Sequence, residues 1–167
     1  MKNFLLAIAL ITFYSCSSSV NVGGGETGIV DVPGASKNQV YQKALQWLSY
    51  KFVSGKAVVD YKDPGTGRVI AKGTLIIPTA MGSRAEVHIV ATIDCVAARS
   101  RISVETTDCA SVAANGARYP CSGFYLPPSA FDEINSAPKN FIEDYRAYMG
   151  GTTAPAWDGK MPRKVTN

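Results

Sequence analysis

The chain has 167 residues, of which 46% are hydrophobic and 18% charged, and a formal net charge of +4. That length holds one domain with a sizeable core and not two, and the apolar content excludes disorder throughout. The mild positive charge, with no block of five or six like charges, is too weak to imply a nucleic-acid partner.

Residues 1–15 read as a signal peptide: one cation at Lys2, an apolar run from Phe4 to Tyr14, then small residues around Cys16. About eleven apolar positions are too few to span a bilayer stably. Cleavage before Cys16 would follow modification of its thiol with diacylglycerol and would leave a lipoprotein. Phe13 stands where a lipobox usually has Leu. Two alternatives therefore stay open, a soluble exported protein cut after Ser17-Ser18-Ser19 and an uncleaved anchor. The expectation is lipidation at Cys16, with a membrane as the first partner and the cell envelope as the location. No later segment is apolar enough to cross a membrane.

Residues 16–26 are rich in Ser and Gly and read as a tether that holds the domain clear of the headgroups. Gly23-Gly24-Gly25 is not a phosphate cradle, because no strand precedes it and no Gly-Lys-Ser/Thr follows. The domain is expected over 27–150, opening with a strand from Thr27 to Val32 and a turn at Pro33-Gly34. Ser36 and Gln39 form a capping box for a helix running to about Ser54, with Val40, Ala44, Trp47, Leu48 and Phe52 on one apolar stripe. Trp47 on that stripe belongs to a core rather than to a ligand platform.

Four segments with period-two patterning follow, Lys56–Lys62, Arg68–Ile77, Arg84–Val96 and Arg99–Thr107, joined by short turns that predict an antiparallel meander. A turn near Ala97-Ala98 makes facing residue numbers sum to about 195. Ile93, Ala91 and Ile89 then face Ile102, Val104 and Thr106 on a dry side, while Asp94 and Val90 face Arg101 and Glu105 on a wet one. Ser129, ahead of Asp132 and Glu133, signals a further helix start, and another helix is expected near Pro138, carrying Phe141, Ile142, Tyr145 and Tyr148 or Met149. From Thr152 onward the chain is polar, with Pro155 and Pro162, and residues 151–167 read as a disordered tail.

Export places the cysteines where disulfides persist. The same register puts Cys95 on the dry side near the turn and Cys109 at the far end on the opposite side, so these two cannot bond. Cys109 and Cys121 bracket a loop from Ala110 to Pro120 and are the expected pair, with two free thiols as the alternative. A bridge closing a loop of this size contributes about 3 kcal/mol.

Val30-Asp31-Val32-Pro33-Gly34-Ala35-Ser36-Lys37, Tyr41 and Trp47, then Tyr61-Lys62-Asp63-Pro64 and Gly67 to Gly73, resemble the domain-of-unknown-function family four-four-six-eight of exported bacterial proteins. The resemblance covers roughly Thr27 to Val104. It implies a TATA-binding-protein-like α+β fold, an antiparallel sheet of about five strands in the order β-α-β-β-β-β-α with helices on one face. It supplies no catalytic residues, and the cysteine-bracketed loop is not part of the family pattern.

The fold's namesake grips the DNA minor groove through its open sheet face, but fold does not fix function. Here that face would carry Ile70, Lys72, Ile76, His88, Val90 and Arg101 together with Glu86, Asp94 and Glu105, a mixture of signs that cannot neutralise a row of phosphates. No nucleic acid is expected. The single histidine, His88, cannot support a multi-histidine metal site, and no Cys-x-x-Cys occurs, so neither metal nor cofactor is expected. Asp132, Glu133, Glu143 and Asp144 read as a charged outer helix surface. The sequence contains no catalytic constellation. It points to an envelope-tethered binding or scaffolding module that uses its open sheet face for a protein or peptide. The alternatives are an enzyme of unrecognised type and a soluble secreted inhibitor or effector.

Overall fold

The computed structural model describes residues 20, 22–52, 58–79, 82–121 and 126–150. The signal segment, Cys16 and the tail 151–167 lie outside them. In chain order the elements are β1 (Gly25–Asp31), α1 (Lys37–Lys51), β2 (Val58–Asp63), β3 (Arg68–Pro78), β4 (Arg84–Val96), β5 (Arg99–Val112), β6 (Arg118–Pro120) and α2 (Pro128–Met149). The sheet is antiparallel with strand order β1-β5-β4-β3-β2, and β6 pairs with the far end of β5. Both helices pack on one side, so the class is α+β and the opposite side of the sheet is open.

Local chemistry explains where the elements begin and end. The capping box at α1 is complete: Gln39 N donates to Ser36 Oγ at 3.3 Å and Ser36 N donates to Gln39 Oε1 at 2.8 Å. The helix ends at Lys51, with Phe52 N closing onto Leu48 O. Its buried stripe is Val40, Tyr41, Ala44, Trp47 and Leu48. At Gly67 the backbone turns with φ of 81°, a left-handed conformation that favours glycine. At Gly73 a Cβ would run into the Phe52 ring, so only glycine lets that ring rest where it does on the sheet.

Strands β3, β4 and β5 bury alternate residues against the helices. Val69, Ala71, Ala85, Val87, Ile89, Ala91, Ile93, Ile102 and Val104 form the floor of the core. Trp47 is fully buried above it, its ring edge-on to Phe141 at 4.8 Å and to Tyr145 at 4.9 Å between centroids. Aromatic pairs in such geometry contribute about 0.5–1.5 kcal/mol beyond their area burial.

The structure corrects the sequence reading at several places. The β4–β5 register holds from Val96↔Arg99 to Ile89↔Thr106 and then shifts, because His88 pairs with Asp108 and leaves Thr107 as a bulge. The expected His88–Thr107 pairing is lost. Cys109 moves opposite Val87, onto the covered side, instead of the open side expected for it. Cys95 still cannot reach it: nine residue steps along β5 lead from Ser100, the partner of Cys95, to Cys109, roughly 30 Å along the strand.

The two helix starts near Ser129 and Pro138 merge into one helix, with Pro128 in its first turn and Pro138 inside it. Pro138 cannot donate to the carbonyl four residues back. Burial of Ile134, Ala137, Phe141 and Tyr145 on both sides of it holds the helix together all the same. β1 begins at Gly25, two residues before the expected strand and inside the segment read as tether. β6 is a sixth strand that the sequence reading left in a loop.

Candidate functional site

Ile70, Lys72 and Ile76 of β3, His88 and Val90 of β4, and Arg101 of β5 all lie on the helix-free side, as their register requires. Lys72 faces Val90, Thr74 faces His88, and Thr74 Oγ1 lies 3.0 Å from His88 Nδ1. Together with Thr107 and Asp108 these residues line a shallow depression of about 490 Å³ beside the bulge. Ile70 is one row to one side of it. Ile76, 53% exposed, is beyond it on the other, and Arg101 stands near the opposite end of the sheet.

Ion pairs organise the charges of this face. At the turn end, Arg68 Nε and Arg101 Nη2 hold the two oxygens of Asp94 at 2.5 and 2.7 Å. Lys72 pairs with Asp60 at 2.7 Å, and Arg99 with Asp31 at 2.6 Å. At the hairpin end Glu86, read from sequence as an exposed member of the face, is only 4% exposed. Arg84 Nη2 reaches its Oε1 at 3.0 Å and Arg118 Nη2, from β6, reaches its Oε2 at 2.8 Å. Burial alone would push the Glu86 carboxyl up, and the hydrogen bonds and charges of the two guanidiniums outweigh it and hold the group below its ordinary 4.5. Asp94 is held below 3.8 first by its hydrogen bond from Arg68, with Arg101 adding to it.

Sequence reasoning missed Ile29, which faces Arg101 from β1, and Tyr61, which faces Ile70 from β2; they are 58% and 46% exposed. The alternation around Val30 carried the signal for Ile29: once Val30 is buried, its neighbour must face the other way.

Cys109 and Cys121 form a disulfide with sulfurs 2.00 Å apart and Cα atoms 5.5 Å apart. It fastens β6, and with it Arg118, to the end of β5. The free thiol of Cys95 is fully buried, and burial first, then the neighbouring Asp94 charge, pushes it up to about 11. It is therefore a poor nucleophile at neutral pH. Asp144 is not simply surface: it accepts from Trp47 Nε1 at 3.2 Å and pairs with Lys51 at 2.7 Å, tying α2 to α1. Among the described residues no three His, Cys, Asp or Glu side chains are grouped to hold a metal ion.

A helix-backed antiparallel sheet with one open face and this strand order defines a TATA-binding-protein-like α+β domain. Residues 27–108 match the model of a family described as a domain of unknown function (DUF4468) with TBP-like fold. The matched segment ends just before Cys109, so the disulfide, β6 and α2 lie beyond it. The structure is similar to the crystal structure of a DUF4468 family protein from Bacteroides ovatus, with a TM-score of 0.57 and 14% identity over 85% of this chain and 95% of that one. It is also similar to a TBP-like protein from Parabacteroides distasonis, with a TM-score of 0.52 and 12% identity over 75% of this chain and 88% of that one. At such identities the likeness concerns the fold alone. No curated protein matches the chain.

Proposed function

We propose that the protein is an exported, lipid-anchored module of the cell envelope that binds a protein or peptide partner through the open face of its sheet. The observation that carries this reading is the pairing of charge on that face. Each arginine described there, and Lys72, already has a carboxylate partner, so no cation of the face is left over, and its exposed surface includes apolar Ile29, Tyr61 and Ile76 at the margins and half-buried Val90 between them, beside the carboxylate of Glu105. Such a mixture of exposed apolar groups with paired polar ones resembles protein interfaces in composition. It offers no unpaired row of cations for a nucleic-acid backbone. Export draws support from the disulfide, which persists in oxidising compartments.

The test is cross-linking in living cells followed by capture through this chain. A specific envelope protein should be enriched over capture by an unrelated lipoprotein and lost on Ile76→Asp, with the variant's thermal stability unchanged. Equal recovery with wild-type and Ile76→Asp chains would refute the open face as the binding surface. Lipid attachment has its own readout: the intact mass of the membrane-extracted protein should correspond to a chain starting at Cys16 plus acyl groups. A soluble chain starting at Val20 would instead make it a freely diffusing exported domain.

A further inference from the structure

Composition assigns residues 16–26 to a tether, yet the later part of that segment is folded. Gly23 N donates to Thr106 O at 2.7 Å, and Thr106 N donates to Gly24 O at 3.1 Å, so the β1–β5 ladder continues beyond Gly25. Upstream of it, Val20 is half-buried and packs against the core cluster. That cluster lies between the sheet and the helices, so Val20 docks on the covered side. Only Ser17, Ser18 and Ser19 then stand between Cys16 and a docked residue.

Four Cα–Cα steps reach at most about 14 Å. The domain is much larger than that. The 14 residues of β5 extend about 46 Å, and the outer strands of a sheet five abreast are about 19 Å apart. We propose that a lipid on Cys16 holds this domain directly against the phospholipid bilayer by the surface around Val20. Exposed Val22 and the α2 residues Asn135 and Pro138, which flank Gly24, are then membrane-proximal. This proposal rests on the lipid-anchor reading and adds to it an orientation.

The diagonally opposite corner points away from the membrane. It comprises the β2–β3 turn and the start of α1, joined by the hydrogen bond from Lys37 Nζ to Gly65 O at 2.5 Å. β2 is last in the strand order from β1, and its turn is at the Arg99 end of the sheet, away from Thr106. Because the leash enters on the helix side, the open face is not pressed onto the headgroups and remains accessible to a partner.

The experiment uses the full chain, exported and purified from membranes, with acylation of Cys16 established by intact mass. It is reconstituted into phosphatidylethanolamine–phosphatidylglycerol vesicles that carry a headgroup energy acceptor. A thiol-reactive donor is placed at Val22→Cys in one sample and at Asn38→Cys, next to Lys37, in another; Cys95 is buried and Cys109 and Cys121 are bonded, so neither competes. Transfer from position 22 should exceed that from position 38 several-fold. Inserting about ten Gly and Ser residues between Ser19 and Val20 should abolish the difference, since such a linker lets the domain rotate freely. Equal transfer from both positions in acylated protein overturns the orientation while the anchor stands. A difference that survives the insertion overturns the short leash as its cause. An unacylated mass overturns both the anchor and the orientation.

Discussion

Along β4, Ala85, Val87, Ile89, Ala91, Ile93 and Cys95 are all buried under the helices, while His88, Val90, Thr92 and Asp94 between them keep contact with solvent. The two faces are made by alternate residues of one strand, and they divide the work of the molecule. The covered face supplies the apolar burial that holds the fold. The open face carries arginines and a lysine already paired with carboxylates, together with apolar groups left unburied, and on that composition the proposed binding role rests. Glu86 breaks the division, because it lies on the open side of β4 yet is nearly as buried as the core.

Substitutions should expose that division in order of size. Trp47→Ala removes the largest fully buried side chain, its two edge-on ring contacts and the bond to Asp144, and should cost about 3–5 kcal/mol by urea denaturation. The double change Arg84→Ala, Arg118→Ala leaves the buried Glu86 carboxylate without its cations and should cost about 3 kcal/mol. Removing Arg68 and Arg101 from the more exposed Asp94 should cost about 1 kcal/mol or less. If the two double variants proved equally stable, the hairpin corner would belong with the rest of the open face.

Acid should report the same carboxylates. Glu86 and Asp94 both titrate below their ordinary values in the folded protein, so they contribute stability that is fully present above about 4.5 and is lost as pH falls through the folded-state values. Denaturation midpoints should be level between pH 7 and 5 and drop below 4.5. Glu86→Gln should show a shallower drop from a lower plateau. The smallest expected effect is that of Ile76→Asp, within about 0.5 kcal/mol of wild type, because the side chain it replaces is more than half exposed.

Much of this architecture is legible in the residues. The β4–β5 register follows from two independent consequences of one turn position, and the capping box at Ser36 and Gln39 is explicit. Legibility ends where alternation ends. From Glu105 to Asp108 the sequence is Glu-Thr-Thr-Asp, a polar run in which nothing marks which residue is the extra one, so the bulge at Thr107 is invisible and plain alternation puts Cys109 on the wrong side. β6 is three residues, all exposed, and carries no pattern at all. Pro138 looks like a helix start because only packing from both sides makes it tolerable inside one. The open face could be named from parity, but the burial of Glu86 could not, since it depends on Arg118 arriving from a strand that sequence alone does not show.

The bulge gives β5 something like a change of reading frame. Before Thr107, even-numbered residues of the strand face the helices; after it, odd-numbered ones do. Deleting that one residue would leave a regular ladder in which Thr106 still faces Ile89 and Asp108 still faces His88, so every side chain downstream would keep its side and the sulfur of Cys109 would still meet Cys121. One residue more, in a ladder that kept its single bulge, would do the opposite: every later side chain would exchange sides and that sulfur would be carried through the sheet. The bulge thus absorbs one surplus residue and no second one.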